Sequence, residues 1–376
     1  MGVAVCKLIE EGKLSLDDKI ADLIPGFADS DGARDDSYKK ADMTLKHVVT
    51  FTAGFPNPPG DQGPATMGTS EGRTAWSCAF GLEWAPGEFF QYHPGSGHWV
   101  MAEIVTRVAG VDYKDYLRST VLDPCGLDHF FVGLPEELQL AYHCADIVNA
   151  DADNSGAYEG GGGMSGFNSP VMRALGVPGG GGVATAADLA LLYQPLINGG
   201  KVWGGGQILQ PETITDLLAK QQTDDRHFTI IAHSDGAAVD LKAWQAGMLD
   251  ASSPRVIAKR RGVVFDLAGD DEVAVPDDFP PGQRFAWEGF RPGQTVPCKI
   301  LRQGGFGLNN SGRSIGHDGA MGQIAWGDPA SGLSFAWVTN TGNSRGYGGG
   351  MSVGRICDMS TLAGACCAVE AEAAKL

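Results

Sequence analysis

Gly316-His317-Asp318-Gly319-Ala320-Met321-Gly322-Gln323-Ile324-Ala325-Trp326-Gly327-Asp328-Pro329-Ala330-Ser331-Gly332-Leu333-Ser334-Phe335-Ala336-Trp337-Val338 is the stretch that decides the fold class. Leu333, Phe335 and Trp337 recur at period two, which puts their side chains on one face of an extended chain. Gln323–Trp326 is a second short strand candidate. Between the two lies Asp328-Pro329-Ala330-Ser331-Gly332, residues that favour a turn. The pattern predicts an antiparallel hairpin near the end of the chain.

Outward from this hairpin the period changes to that of helices. Gly2 to Glu11 sets Val5, Leu8 and Ile9 on one face, and Gly12 stops the run. No Ser, Thr, Asp or Asn precedes that stripe, so the helix is expected to be cut short at its N-terminal end. Thr44 caps a helix expected to reach Phe51. Met101, Ile104, Val105 and Val108 mark an amphipathic helix ended by Gly110, and Tyr113, Tyr116 and Leu117 mark the next, closed by Asp123-Pro124. Thr185 with Asp188 has the form of a capping box ahead of Leu189, Leu192 and Leu196, and Pro195 should kink or shorten that helix. Pro211 suits the first turn of a helix carrying Ile214, Leu217 and Leu218. A last helix over 350–363 would cover the sheet. Helices in the middle and a hairpin near the end read as α+β.

Composition excludes several functions. Forty-five acidic residues against 28 basic ones give a formal charge of −17, the wrong sign for gripping phosphates. The one basic cluster, Lys259-Arg260-Arg261, is expected to be a solvated loop. No apolar run reaches the roughly 18 residues a membrane helix needs, and no basic opening with a small-residue cleavage site marks a signal peptide. A soluble protein is expected, its compartment open but leaning to the cytoplasm. Eight cysteines at irregular positions, with no Cys-x-x-Cys, exclude zinc and thioredoxin-like sites and favour reduced thiols. Asp151-Ala152-Asp153-Asn154-Ser155-Gly156 opens like a calcium loop, but its twelfth position is Gly162 rather than Glu. The glycine runs lack the Lys-Ser or Lys-Thr of a phosphate loop. No metal or cofactor is expected.

Five segments, in order, resemble the serine β-lactamase and penicillin-binding-protein superfamily on its class C and esterase side. Leu8 to Asp18 resembles "LxEEGKLSLDD", Met43 to Phe55 "iTirhLLtHTSGl", and Pro86 to Tyr92 "PGexfxYs". Gly181 to Leu189 resembles "gGlvsTaxDlaxf", and Gly316 to Gly322 "GHtGaxG". The resemblance implies an antiparallel sheet flanked by helices with a mostly helical subdomain, the leading strands being absent. Within a single domain over 1–376, segments 1–44 and 301–376 would form the α/β part. Segment 45–300 would be mostly helical, with a weakly matching insert at 221–300.

The implied chemistry is acyl transfer through a serine ester, activated by a Ser-x-x-Lys turn. By position, Tyr92 is the tyrosine that assists proton transfer, and His317 stands where other branches carry lysine. Gly319 would let substrate approach the strand. The Ala320 N–H would be an oxyanion donor, of a kind worth about 2.7–4 kcal/mol in a comparable hydrolase. The Ser-x-x-Lys motif belongs at the head of the helix that opens at Met1 and is not found there. Ser37-Tyr38-Lys39-Lys40 has the spacing but lies in a charged loop after that helix, so Ser37 and Lys40 are expected to be a decoy. Pro94 cannot offer the amide of the family's Asn, and Phe51 replaces the histidine of "HTSG". The expected substrate is a small ester or amide, with the chain inactive for want of its nucleophile. The alternative is a non-catalytic relative that keeps the cleft for binding or regulation.

Overall fold

The structure is a computed structural model. It describes residues 1–29, 39–56, 61–92, 95–149, 164–223, 228–232, 255–258, 261–269, 272–274, 295–297, 306–307, 309–319, 322–342 and 359–366. Helix α1 (Gly2–Glu10) buries Val5 and Leu8 of the expected stripe, with Ile9 partly buried against the same core and Val3 buried as well. Gly12 then turns the chain at φ +69, where a side chain would be strained. Helix α2 (Leu45–Val49) starts at Thr44, whose N–H donates to His47 Nδ1 at 3.1 Å. It stops two residues short of the expected Phe51. Helices α3 (Ser70–Cys78) and α4 (Ser96–Ala109) follow, the latter closed by left-handed Gly110 at φ 74. Helix α5 (Tyr113–Leu117) takes its N-cap from the Asp112 carboxylate and runs into a π-helical turn over Arg118–Leu122. Helix α6 (Ala186–Ile197) is capped by Thr185, which accepts from the Asp188 N–H at 3.1 Å. Pro195 stands inside α6, two residues before its last residue Ile197, and so neither stops the helix nor falls in its first turn, where a missing N–H costs nothing.

The main sheet is a meander of β1 (Asp266–Leu267), β2 (Ile315–Gly319), β3 (Gln323–Asp328) and β4 (Leu333–Trp337), each pair antiparallel. The β3–β4 turn is tied by the Gly332 N–H to Asp328 O at 2.9 Å, with Gly332 at φ +74. Register divides the side chains. Ala325 lies opposite both His317 and Ala336, while Trp326 lies opposite Gly316 and Phe335. Ile324 and Trp326 join Phe306 and Ala268 in one small core, against which Leu333, Phe335 and Trp337 pack. The helix over 359–366 reaches this face through Ser360, whose Oγ accepts from Trp326 Nε1 at 3.0 Å. Ile315 and Ala325, on the other face, belong to the large core shared with the helices. His317 therefore projects toward the helical side, beside Ala325 of the neighbouring strand, whose small side chain leaves it room. Among the described residues no helix is long and apolar enough to cross a membrane. The described cysteines, Cys6, Cys78, Cys125, Cys144 and Cys366, are free thiols.

Candidate active site

The helical wall of the site begins where α2 ends. Phe51 adopts φ 59, a left-handed backbone that a bulky residue rarely takes. Its carbonyl accepts from the Gln91 N–H at 3.0 Å, and its ring is 4% exposed. Gly87 makes this docking possible: it sits at φ +83 against His47, and its N–H donates to Thr52 O at 2.8 Å. The stretch from Pro86 is thereby laid along the end of α2, and Tyr92 arrives beside Phe51 with ring centroids 4.8 Å apart. His98, in the first turn of α4, completes the wall 5.3 Å from Phe51 and 6.1 Å from Tyr92. Neither His98 ring nitrogen has a hydrogen-bond partner among the described residues. Burial pushes its imidazole well below the usual range, aided by nearby His317 and Arg261, so it is neutral.

The sheet supplies the opposite wall. His317 brings its ring to 5.3 Å from that of Tyr92. These two residues lie 225 positions apart in the chain, and the fold brings their rings into contact, tilted by 49° to each other. His317 Nδ1 is 2.6 Å from the Asp318 carbonyl oxygen. A carbonyl only accepts, so Nδ1 carries the hydrogen. Burial lowers the His317 pKa; the Asp266 carboxylate pulls it up and Arg261 pushes it down, with the net direction downward.

Arg261 is the residue that sequence reasoning misplaced. The cluster Lys259-Arg260-Arg261 was expected to be solvated, yet Arg261 is fully buried at the centre of the site. Its Nε and Nη2 donate to the two Asp266 oxygens at 3.0 and 3.1 Å, and Nη1 donates to Val264 O at 3.0 Å. The guanidinium stacks 4.4 Å over Phe51 and 5.4 Å from the Tyr92 ring centroid. Nη2 also lies 3.1 Å from His317 Nε2. The physical reason for the error is that a paired, forked cation can be buried where a lone one cannot. Asp266, five residues on, was the available signal.

The decoy lysine is elsewhere. Lys40 donates to the carbonyls of Ser77 at 2.9 Å and Cys78 at 3.3 Å, with its ammonium 4.6 Å over the rings of both Phe27 and Phe80. Burial pulls its pKa down to about 8. Gly319 ends β2, exposed, where an added Cβ would meet Gln323 at 3.2 Å. Ser37, His93, Pro94, Ala320, Lys259, Arg260 and the acidic loop 151–156 lie outside the described residues.

A sequence profile of the family described as Beta-lactamase matches residues 1–351. The chain belongs to the Beta-lactamase family. Among relatives of this family, a provisionally named D-alanyl-D-alanine carboxypeptidase of Escherichia coli K12 is 27% identical over 244 residues, covering 59% of this chain and 53% of that protein. Penicillin-binding protein 4 of Amycolatopsis lactamdurans is 30% identical over 141 residues, 35% of this chain and 33% of the relative. The chain thus spans about half or less of the length of these curated relatives. EstA from Arthrobacter nitroguajacolicus Rue61a superposes with a TM-score of 0.64 at 20% identity, over 97% of this chain and 82% of that one. A penicillin-binding-protein homologue from Caulobacter crescentus gives 0.61 at 22% identity, over 94% and 78%. At these identities the structural likeness concerns the fold, an α+β arrangement of helices and antiparallel sheet typical of the Beta-lactamase family.

Within this Beta-lactamase-family site, Asp266, His317 and Asp318 bring ligating atoms within 4.8 Å of one another. They do not fit a metal ion. Both Asp266 oxygens are held by the Arg261 fork, and that guanidinium is a fixed positive charge among the donors.

Proposed function

We propose that the cleft between Tyr92 and His317 is the acyl-transfer site of a β-lactamase-related serine hydrolase acting on a small ester or amide, with esterase chemistry favoured. The single observation that carries this reading is the pairing of the Tyr92 and His317 rings at 5.3 Å across the two walls. In this reading the Tyr92 hydroxyl relays the proton that leaves the attacking serine. His317 lines the sheet wall of the site, Gly319 leaves the strand approachable, and the family resemblance assigns the oxyanion donor to the Ala320 N–H. Esterases and a penicillin-binding-protein homologue share the fold, which supports the substrate class by likeness alone.

Residues 1–376 on their own are proposed to be inactive. Lys40 is engaged with the Ser77 and Cys78 carbonyls, which argues against Ser37-x-x-Lys40 as a nucleophile pair. The test exposes the chain to a serine-reactive fluorophosphonate and a chromogenic short-chain ester. No specific labelling and no turnover above background are expected. Labelling that Ser37→Ala abolishes would overturn the proposal. Where coding sequence upstream supplies a Ser-x-x-Lys turn, the extended protein should hydrolyse the ester. Tyr92→Phe should then lower kcat by about 10²–10⁴, the usual contribution of positioned proton transfer.

A further inference from the structure

Two residues without glycine's freedom sit in left-handed backbone at this site, Phe51 at φ 59 and Val264 at φ 70. For a β-branched valine this is an outlier, and such strain persists only where surrounding structure over-determines it. Both contact the same group. The Phe51 ring lies under the Arg261 guanidinium, and the Val264 carbonyl accepts from Arg261 Nη1. The loop is pinned from outside as well, since the Val263 and Val264 N–H groups donate to Leu217 O and Val49 O, both at 3.0 Å. A bridge pairs Arg261 with Asp266 across the turn. The local structure therefore holds one guanidinium in one place.

What that guanidinium does follows from hydrogen bookkeeping. An arginine only donates, so the 3.1 Å contact between Nη2 and His317 Nε2 requires a lone pair on Nε2. The 2.6 Å contact of Nδ1 with the Asp318 carbonyl requires the hydrogen on Nδ1. The two requirements agree on one neutral form of the ring. We infer that Arg261 is a positioning residue: by donating to Nε2 it fixes His317 as its Nδ1–H tautomer and leaves that ring no lone pair for a substrate proton. Asp266 anchors Arg261 through both carboxylate oxygens. The charged and titratable groups facing His317 are Arg261 and Asp266 from the 261–266 loop, Asp318 from its own strand, and Tyr92 and His98 from the helical wall. The catalytic meaning of this arrangement rests on the hydrolase reading, in which it assigns proton relay to Tyr92 and leaves His317 a fixed wall of the site with both ring nitrogens engaged. The state of the ring does not depend on that reading.

The experiment is ¹⁵N NMR of the imidazole nitrogens in the full chain, with His317→Gln used to assign its signals among the eight histidines. A protonated Nδ1 and a hydrogen-bonded, unprotonated Nε2 are expected, persisting at pH values where ordinary histidines, with pKa about 6.5, are charged. Arg261→Lys keeps the charge but loses the fork. In that variant Nε2 should move toward the signal of a free acceptor, and His317 should bind protons about tenfold more tightly. A wild-type ring protonated at Nε2 would overturn the inference even if the variant failed to fold. So would a folded variant whose His317 signals match wild type at every pH. An extended protein with no esterase activity but the expected spectrum would remove the hydrolase reading and leave Arg261's role standing; activity with an Nε2–H ring would do the reverse.

Discussion

At the scale of single residues the site turns on a buried ion pair. Arg261 is 0% and Asp266 1% exposed, so removing either strands a charge away from water. Arg261→Met should destabilise the protein by about 3–5 kcal/mol, whereas Arg261→Met with Asp266→Leu should recover most of that loss. Urea denaturation of the two variants measures this, and equal losses would show that the pair is not what Arg261 contributes. The neighbouring aromatics were legible because Tyr92 and His317 stand at fixed places within recognisable segments. Arg261 was not, because its stacking and hydrogen-bonding partners Phe51, Tyr92 and His317 are distant in sequence, and Asp266, its local side-chain partner, does not by itself distinguish a buried pair from a surface one. Lys40 carries the second residue-scale prediction. Its folded pKa of about 8 lies below the ordinary value of about 10.4. Between those values the unfolded chain holds a proton that the folded chain has released, so stability rises as pH climbs from about 8 to about 10.4. The gain is on the order of 3 kcal/mol at about 1.36 kcal/mol per pKa unit. Denaturation at both pH values should show this increment in wild type and not in Lys40→Met.

Elements were legible in proportion to their length. The α4 stripe, the Thr185 cap and the β3–β4 hairpin each carry enough periodic residues, or a cap with a hydroxyl, to be read directly. Strand β1 has two residues, Asp266 and Leu267, too few to show any period, and it became visible only through its pairing with Gly316 and Ile315. The short end of α2 was missed for a similar reason: Phe51's left-handed turn contradicts its residue type. The segment that follows depends on Gly54, at φ +75, where an added Cβ would lie 2.3 Å from the Trp84 carbonyl oxygen. That carbonyl belongs to the chain leading into Tyr92 and cannot easily retreat, because the Glu83 N–H already donates to Gly54 O at 2.7 Å. Gly54→Ala should therefore cost more than the roughly 1–2 kcal/mol of left-handed strain alone. Thr185→Ala, which removes only a cap, should cost about 1 kcal/mol. Thermal unfolding of the two variants gives the order, and a smaller loss at Gly54 would contradict the proposed docking.

Across the whole molecule the sheet is buried on both faces, and this explains how its two cores are kept apart. Trp326 and Ile324 face the 359–366 helix, while Ala325 and Gly327 face α6. The small residues at 325 and 327 set how closely α6 can approach, since a Cβ at Gly327 would lie 2.6 Å from Ile197 Cγ2 and 3.4 Å from Tyr193 Cβ. Tyr193 in turn packs edge-on against Phe265, in the loop that carries Arg261 and Asp266. Spacing between helix and sheet is therefore linked by direct contact to the residues around His317. Gly327→Ala should overpack this contact and destabilise by about 1–3 kcal/mol. Ile197→Ala alone should lose a similar amount through the cavity it leaves. Combined, the two substitutions exchange one methyl's space for another's, so the double variant should be more stable than the sum of the singles, with a coupling of about 0.5–3 kcal/mol. Strict additivity in a denaturation cycle would mean that α6 and β3 do not set each other's distance, and the route from packing to the His317 ring would have to lie elsewhere.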